Sequence, residues 1–187
     1  MSKVLIINSS ARKKSNSNAL SEQVALGARE KGHDVTVLDI SRMNIASCKG
    51  CEGCHQPKSK GCVQKDDMQR CYPHVCEADV ILFTSPIYWF TLCGQIKQFI
   101  DRCYAVGVST ETSPSAFENK KIGGIFAYGD DDPFASGCVN AIRALQDTCS
   151  FLKVEWAGAL YGSGYNAGEI ANNAGLMQKA REYGAAL

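Results

Sequence analysis

Four cysteines fall within fifteen residues, spaced Cys48-x2-Cys51-x2-Cys54-x7-Cys62. That spacing brings four thiolates within reach of one centre. A tight run of cysteines two residues apart matches [4Fe–4S] ligation better than a zinc ribbon, which pairs two separated Cys-x2-Cys units. Three chemistries stay open at Cys48, Cys51, Cys54 and Cys62: a cluster, a zinc ion, or thiols that stay reduced. His55 stands beside them and offers a substitute ligand if Cys62 is not one. The other cysteines read as small core residues: Cys103 and Cys149 fall on apolar helix faces, and Cys93 and Cys138 open helices. His33, His55 and His74 have no spacing that makes a catalytic pair.

Three other loops carry chemistry. Residues 9–18 read Ser-Ser-Ala-Arg-Lys-Lys-Ser-Asn-Ser-Asn between an apolar run and a helical pattern. Hydroxyls, amides and free N–H groups at a helix N-terminus form an anion site, and Arg12 adds a charge-assisted contact. The loop has neither the Gly-x-Gly-x-x-Gly of dinucleotide folds nor a Gly-Lys-Ser/Thr, so one terminal phosphate fits it better than a pyrophosphate. Residues 85–90, Ser-Pro-Ile-Tyr-Trp-Phe, set three aromatics in a row at a strand end, where successive side chains diverge. Such a loop suits a planar ring, or a subunit contact, or both. The third loop, Tyr128-Gly129-Asp130-Asp131-Asp132, allows close backbone approach at Gly129, and its carboxylates are placed to cap the next helix.

The elements that position these loops alternate between strand and helix. Strand signals lie at 3–8, 35–38, 79–84, 121–128 and 154–160, and helical signals at 17–31, 96–104, 139–152 and 176–187. An irregular stretch, 41–65, holds the cysteines, and Asp66-Asp67 opens a short helix that Pro73 interrupts or restarts. Five strands alternating with helices predict a three-layer α/β/α domain over 1–187 with a parallel sheet in the order 2-1-3-4-5. Ligands then bind beyond the carboxyl ends of the strands. The 187 residues suffice for one such domain, and a net charge of +1 argues against nucleic acid or an acidic membrane surface as partner. Apolar runs of four residues are too short to span a membrane or lead secretion, so a cytoplasmic location is expected.

The chain resembles the NAD(P)H-dependent FMN reductase family, close to the iron–sulfur flavoproteins within the flavodoxin-like group. Three stretches carry the resemblance: Ser10-Ala11-Arg12…Asn16-Ser17, the run from Gly61 to Met68, and Ser85-Pro86-Ile87-Tyr88-Trp89 with Gly94-Gln95-Ile96-Lys97 and Ile100-Asp101-Arg102. Ala11 stands where proline is frequent in that family. The resemblance implies FMN as cofactor and NAD(P)H as co-substrate. It puts Ser10, Arg12, Asn16 and Ser17 on the FMN phosphate, with Asn18 added by adjacency. Pro86, Ile87, Tyr88, Trp89 and Phe90 would face the ring and ribityl chain, with Tyr128 and Gly129 at the ring edge. The cysteines would hold a [4Fe–4S] cluster like that of the iron–sulfur flavoproteins.

The hard chemistry would then belong to the flavin, and no side chain is nominated as catalytic. The expected activity is transfer from NAD(P)H to a flavin, a quinone or another small-molecule or protein acceptor. An electron carrier serving a partner protein is the alternative. The exposed aromatic loop predicts a homodimer or homotetramer.

Overall fold

The computed structural model describes residues 1–59, 61–109 and 114–187, so residue 60 of the cysteine segment lies outside it. Strand β1 (Lys3–Asn8) leads into α1 (Asn16–Glu30), β2 (Asp34–Asp39), α2 (Met68–Glu77) and β3 (Val80–Tyr88). A two-residue strand β4 (Thr91–Leu92), α3 (Gly94–Arg102), the short α4 (Tyr104–Gly107) and β5 (Lys121–Tyr128) follow. Then come α5 (Cys138–Leu152), β6 (Glu155–Ser163), a 3-10 turn (Glu169–Asn172) and α6 (Ala174–Ala185). The main strands pair in parallel in the order β2-β1-β3-β5-β6. With the small β4 set aside, that is the expected 2-1-3-4-5. Among the described residues no helix is long and apolar enough to cross a membrane.

Alternation along the strands divides the core in two. Val4, Ile6, Val80 and Leu82 meet Leu20 and Val24 of α1 and Ala180 of α6 on one face. Their neighbours Leu5, Ile7, Ile81 and Phe83 meet Val75, Ile96, Phe99 and Leu145 of α2, α3 and α5 on the other. Both faces are covered, which is why these strands read as continuous apolar runs rather than alternating ones.

Four boundaries differ from the sequence reading. Helix α2 runs unbroken through Pro73, because Met68, Cys71, Tyr72 and Val75 bury its face on both sides of the proline. The face from Ile96 to Tyr104 divides at Cys103 into α3 and α4. Strand β6 continues to Ser163. Residues 85–88, expected as loop, belong to β3, whose Ser85 and Pro86 pair with Phe126 and Ala127 of β5. Strand β1 stops opposite Thr84, so beyond it β3 is an edge on that side, the setting in which a strand tolerates proline.

Strand β3 then folds back on β4 with Ile87 opposite Leu92 and Tyr88 opposite Thr91, leaving Trp89 and Phe90 as a two-residue turn. Both have positive φ, 47° and 64°. That is the sign pattern of a type I′ hairpin, where Asn-Gly is the usual pair and bulky side chains are strained. Asn140 Nδ2 donates to Phe90 O at 3.0 Å and anchors the turn on α5. Gly137 makes room for it, since a Cβ there would lie 2.4 Å from Phe90 Cα.

Candidate functional site

The carboxyl ends of the central strands are fixed by side chains that sequence pattern alone does not flag. Ser9 Oγ donates to Thr84 O at 2.7 Å, tying β1 to β3, and Cys93 N donates to Ser85 Oγ at 3.0 Å, tying the start of α3 beneath β3. Above this floor opens a cavity of about 530 Å³, a size suited to a small-molecule cofactor. One wall is Ser10, Arg12, Ser15, Asn16 and Ser17, where the first turn of α1 leaves its amides without helical partners. Ser15 caps that turn by accepting from Asn18 N at 3.2 Å. A second wall is Pro86, Ile87 and Tyr88, and a third is Tyr128 and Gly129.

A fourth wall escaped the sequence reading. Gly164, Tyr165, Asn166 and Ala167, just past β6, close the cavity beside the α1 wall. Asn16 holds them there: its Nδ2 donates to Gly164 O and Asn166 O, both at 2.8 Å, and its Oδ1 accepts from Ile170 N at 3.2 Å. A side chain at position 164 would meet Asn16 Nδ2 at 2.9 Å, so glycine is required for that approach. Arg12 Nη1 joins the same wall through Tyr165 O at 3.1 Å. The signal was available, because Gly164 and Asn166 follow the last strand just as glycine and polar residues follow the others.

Other expected residues take different places. The Asn16 carboxamide is consumed as this strut, leaving its backbone amide for an anion. Asn18 is not on the cavity wall, because it lies one position further round α1 than Ser17. Trp89 and Phe90 also stand away from the cavity, since the hairpin carries them outward, with Trp89 92% exposed. The aspartates cap a turn rather than α5: Asp132 Oδ1 accepts from Phe134 N at 2.9 Å, while Gly137 is the N-cap of α5. Burial raises the Tyr128 phenol above its ordinary pKa, so it remains an O–H donor at neutral pH. A separate cavity of about 360 Å³, bordered by Phe83, Phe117, Ile122 and Phe151, offers apolar surface instead of an anion site.

The cysteine segment lies at the side, against α3 and α4. Cys48, Cys51, Cys54 and Cys62 all border one narrow cleft of about 20 Å³, together with Arg102 and Tyr104. Among the described residues, however, no three His, Cys, Asp or Glu side chains are close enough together to hold a metal ion. Donor type fits a sulfur-ligated centre, and forming one would require the four thiols, which share the cleft without meeting at one point, to converge. His55 is not on the cleft; it packs against Tyr104 with the rings tilted by 56° and their centroids 4.5 Å apart. Burial raises the Cys54 thiol. Burial also acts upward on Cys62, but the Gln64 amide, the Tyr72 hydroxyl and the Arg102 guanidinium outweigh it and leave that thiol below its ordinary value.

A family model of the flavodoxin-like fold matches residues 2–187. The chain belongs to that family. Among its relatives, an iron–sulfur flavoprotein of Methanocaldococcus jannaschii is 37% identical over 78 residues, 42% of this chain and 39% of that protein. A Bacillus subtilis protein named as an NAD(P)H-dependent FMN-containing oxidoreductase is 22% identical over 90% of this chain and 88% of its own. The solved NAD(P)H:quinone oxidoreductase of Methanothermobacter marburgensis superposes with a TM-score of 0.73 at 19% identity, covering 98% of this chain and 96% of that one. That last likeness is one of fold. Matches to the iron–sulfur flavoproteins span between 39% and 62% of those proteins. As a flavodoxin-like protein the chain places its larger polar cavity beyond the carboxyl ends of the parallel strands, where this fold binds ligands.

Proposed function

We propose that the chain is an FMN-dependent oxidoreductase, taking reducing equivalents from NAD(P)H and passing them to a flavin, quinone or other acceptor. The observation that carries this reading is the strand-end cavity, polar at the α1 wall and bordered by Pro86, Ile87 and Tyr88 opposite. Its donor set fits FMN. The amides of α1, the hydroxyls of Ser10, Ser15 and Ser17, and Arg12 would take the phosphate. The Pro86–Tyr88 strand end, Tyr128 and Gly129 would border the ring. Bound there, FMN supplies hydride and single-electron chemistry. The chain's own residues bind it, orient it and offer the Tyr128 O–H as a donor. Tyr88 and Tyr165, 47% and 76% exposed, flank the mouth and suit a flat nicotinamide or acceptor by stacking.

Denaturing the purified yellow protein should release FMN and not FAD, and the FMN-loaded protein should oxidise NADH or NADPH rapidly. FMN bound without turnover favours an electron carrier instead. One observation supports that second reading, the shared cleft of Cys48, Cys51, Cys54 and Cys62. If those residues hold a cluster, anaerobic protein contains about four irons per chain. Cys51→Ala then removes the iron and leaves FMN bound. Self-association is part of the same proposal: Tyr88, Trp89 and Phe90 expose contiguous aromatic surface that suits a homodimer or homotetramer. A monomer by light scattering at micromolar concentration, with flavin bound, contradicts it.

A further inference from the structure

The cysteine loop is tied at its neck by one buried guanidinium. Arg102, on the last turn of α3, is 1% exposed. Its Nη1 donates to Ala46 O at 2.8 Å and to Asp66 Oδ2 at 2.5 Å, and its Nη2 donates to Asp66 Oδ1 at 3.0 Å. Asp66 in turn accepts from Ala46 N at 3.0 Å and from Met68 N at 3.1 Å. The residues just outside repeat the pattern, with Asn44 N donating to Asp67 Oδ2 at 2.8 Å and Asp67 N to Asn44 O at 3.0 Å. Residues 46 and 66 are thereby clamped together, and all four clustered cysteines lie on the loop between them. The three bonds from Arg102 use three of the five guanidinium N–H groups, and one of the remainder is on Nε. Arg102 Nε is buried and has no partner among the described residues, yet Arg102 borders the same cleft as Cys62.

We infer that Arg102, paired with Asp66, is the positioning residue of the cysteine site. It fixes the loop so that the thiols face one cleft, and its free Nε–H donates to the sulfur-rich anionic centre they bind. The inference rests on the cluster reading above and adds to it. A preset loop loses less conformational entropy on ligation, and N–H donors at sulfur stabilise the more negative, reduced form of a centre. Arginine suits both tasks, because its planar fork satisfies the clamp and still leaves a donor, whereas lysine is a single point charge.

The test compares wild type, Arg102→Lys and the neutral pair Asp66→Asn with Arg102→Gln, which avoids leaving one buried charge unpaired. Each is reconstituted anaerobically with ferrous iron and sulfide. Iron retained against a chelator, FMN bound per chain and the midpoint potential of the iron centre are then measured. The double variant should bind FMN like wild type, retain iron at least ten-fold less well, and titrate at a lower potential; Arg102→Lys should fall between. A merely structural clamp would change retention and leave the potential in place. Unchanged iron and potential overturn the inference, as does iron loss accompanied by flavin loss in both variants. Wild type that takes up no iron removes the cluster reading and this inference with it, a result told apart by occurring before any substitution.

Discussion

The strand-end cavity and the cysteine cleft are both made from loops, yet they are held in different ways. The cavity rests on regular elements: β1, β3 and β5 deliver its walls by backbone pairing, and side chains trim the rest. The cleft rests on a segment whose described residues form neither helix nor strand, and a buried ion pair closes its neck. A site of the first kind spreads its support over many backbone bonds and survives the loss of one side chain. A site of the second kind concentrates its support, so one substitution can open it.

The sharpest way to break that contrast is Asp66→Ala. Removing one partner strands Arg102 as an unpaired buried charge, and the protein should lose about 3–5 kcal/mol by urea unfolding. Hydrogen bonding from Arg102 holds Asp66 below the ordinary carboxylate range. A lowered folded value means the pair stabilises fully at neutral pH. That contribution begins to fade below about pH 4 and is lost as pH drops through the folded value. Wild-type stability should therefore fall more steeply in acid than that of the neutral double variant.

On the cavity side, Arg12→Ala with Ser17→Ala should weaken FMN binding roughly ten-fold to several hundred-fold by fluorescence titration, from lost charge-assisted bonds. Unchanged affinity would remove the phosphate assignment from this loop. Gly164→Ala is milder. Its Cβ would lie 2.7 Å from Ile170 Cγ1 and would press on the Asn16 strut. FMN should bind roughly three- to ten-fold more weakly, the size of one or two neutral hydrogen bonds, with thermal unfolding nearly unmoved. The smallest effect concerns the hairpin. Trp89→Asn with Phe90→Gly relieves the positive-φ strain and should stabilise the fold by about 0.5–1 kcal/mol. FMN affinity should stay within about two-fold of wild type, since neither side chain lines the cavity, while light scattering should show the protein shifting towards monomer.

Much of this was legible in the sequence, for reasons that residues make plain. Val4-Leu5-Ile6-Ile7 and Val80-Ile81-Leu82-Phe83, short and rich in β-branched residues, read as strands buried on both faces, and the chain order of strands and helices then limits the topology. Ser10, Arg12 and Ser17 declare themselves because polar residues gather where a helix begins. What stayed hidden depended on partners far along the chain. Nothing local says that Ser85-Pro86 extends a strand; that follows from β5 outlasting β1 beside it. Nothing near Asn16 says that its amide will be spent on residues 164–170. Arg102 carries a motif in sequence, but only burial beside Asp66 and Ala46 reveals what it grips.

The Asn16 strut also sets an order of events. It joins positions 148 and 150 residues apart, so the cofactor wall cannot close until the chain has been made past Asn166. A nascent chain halted after β5 could carry the α1 turn and still lack the lid of its own pocket. Flavin would then arrive last, as a ligand that reports completed synthesis and adds stability only to the finished fold.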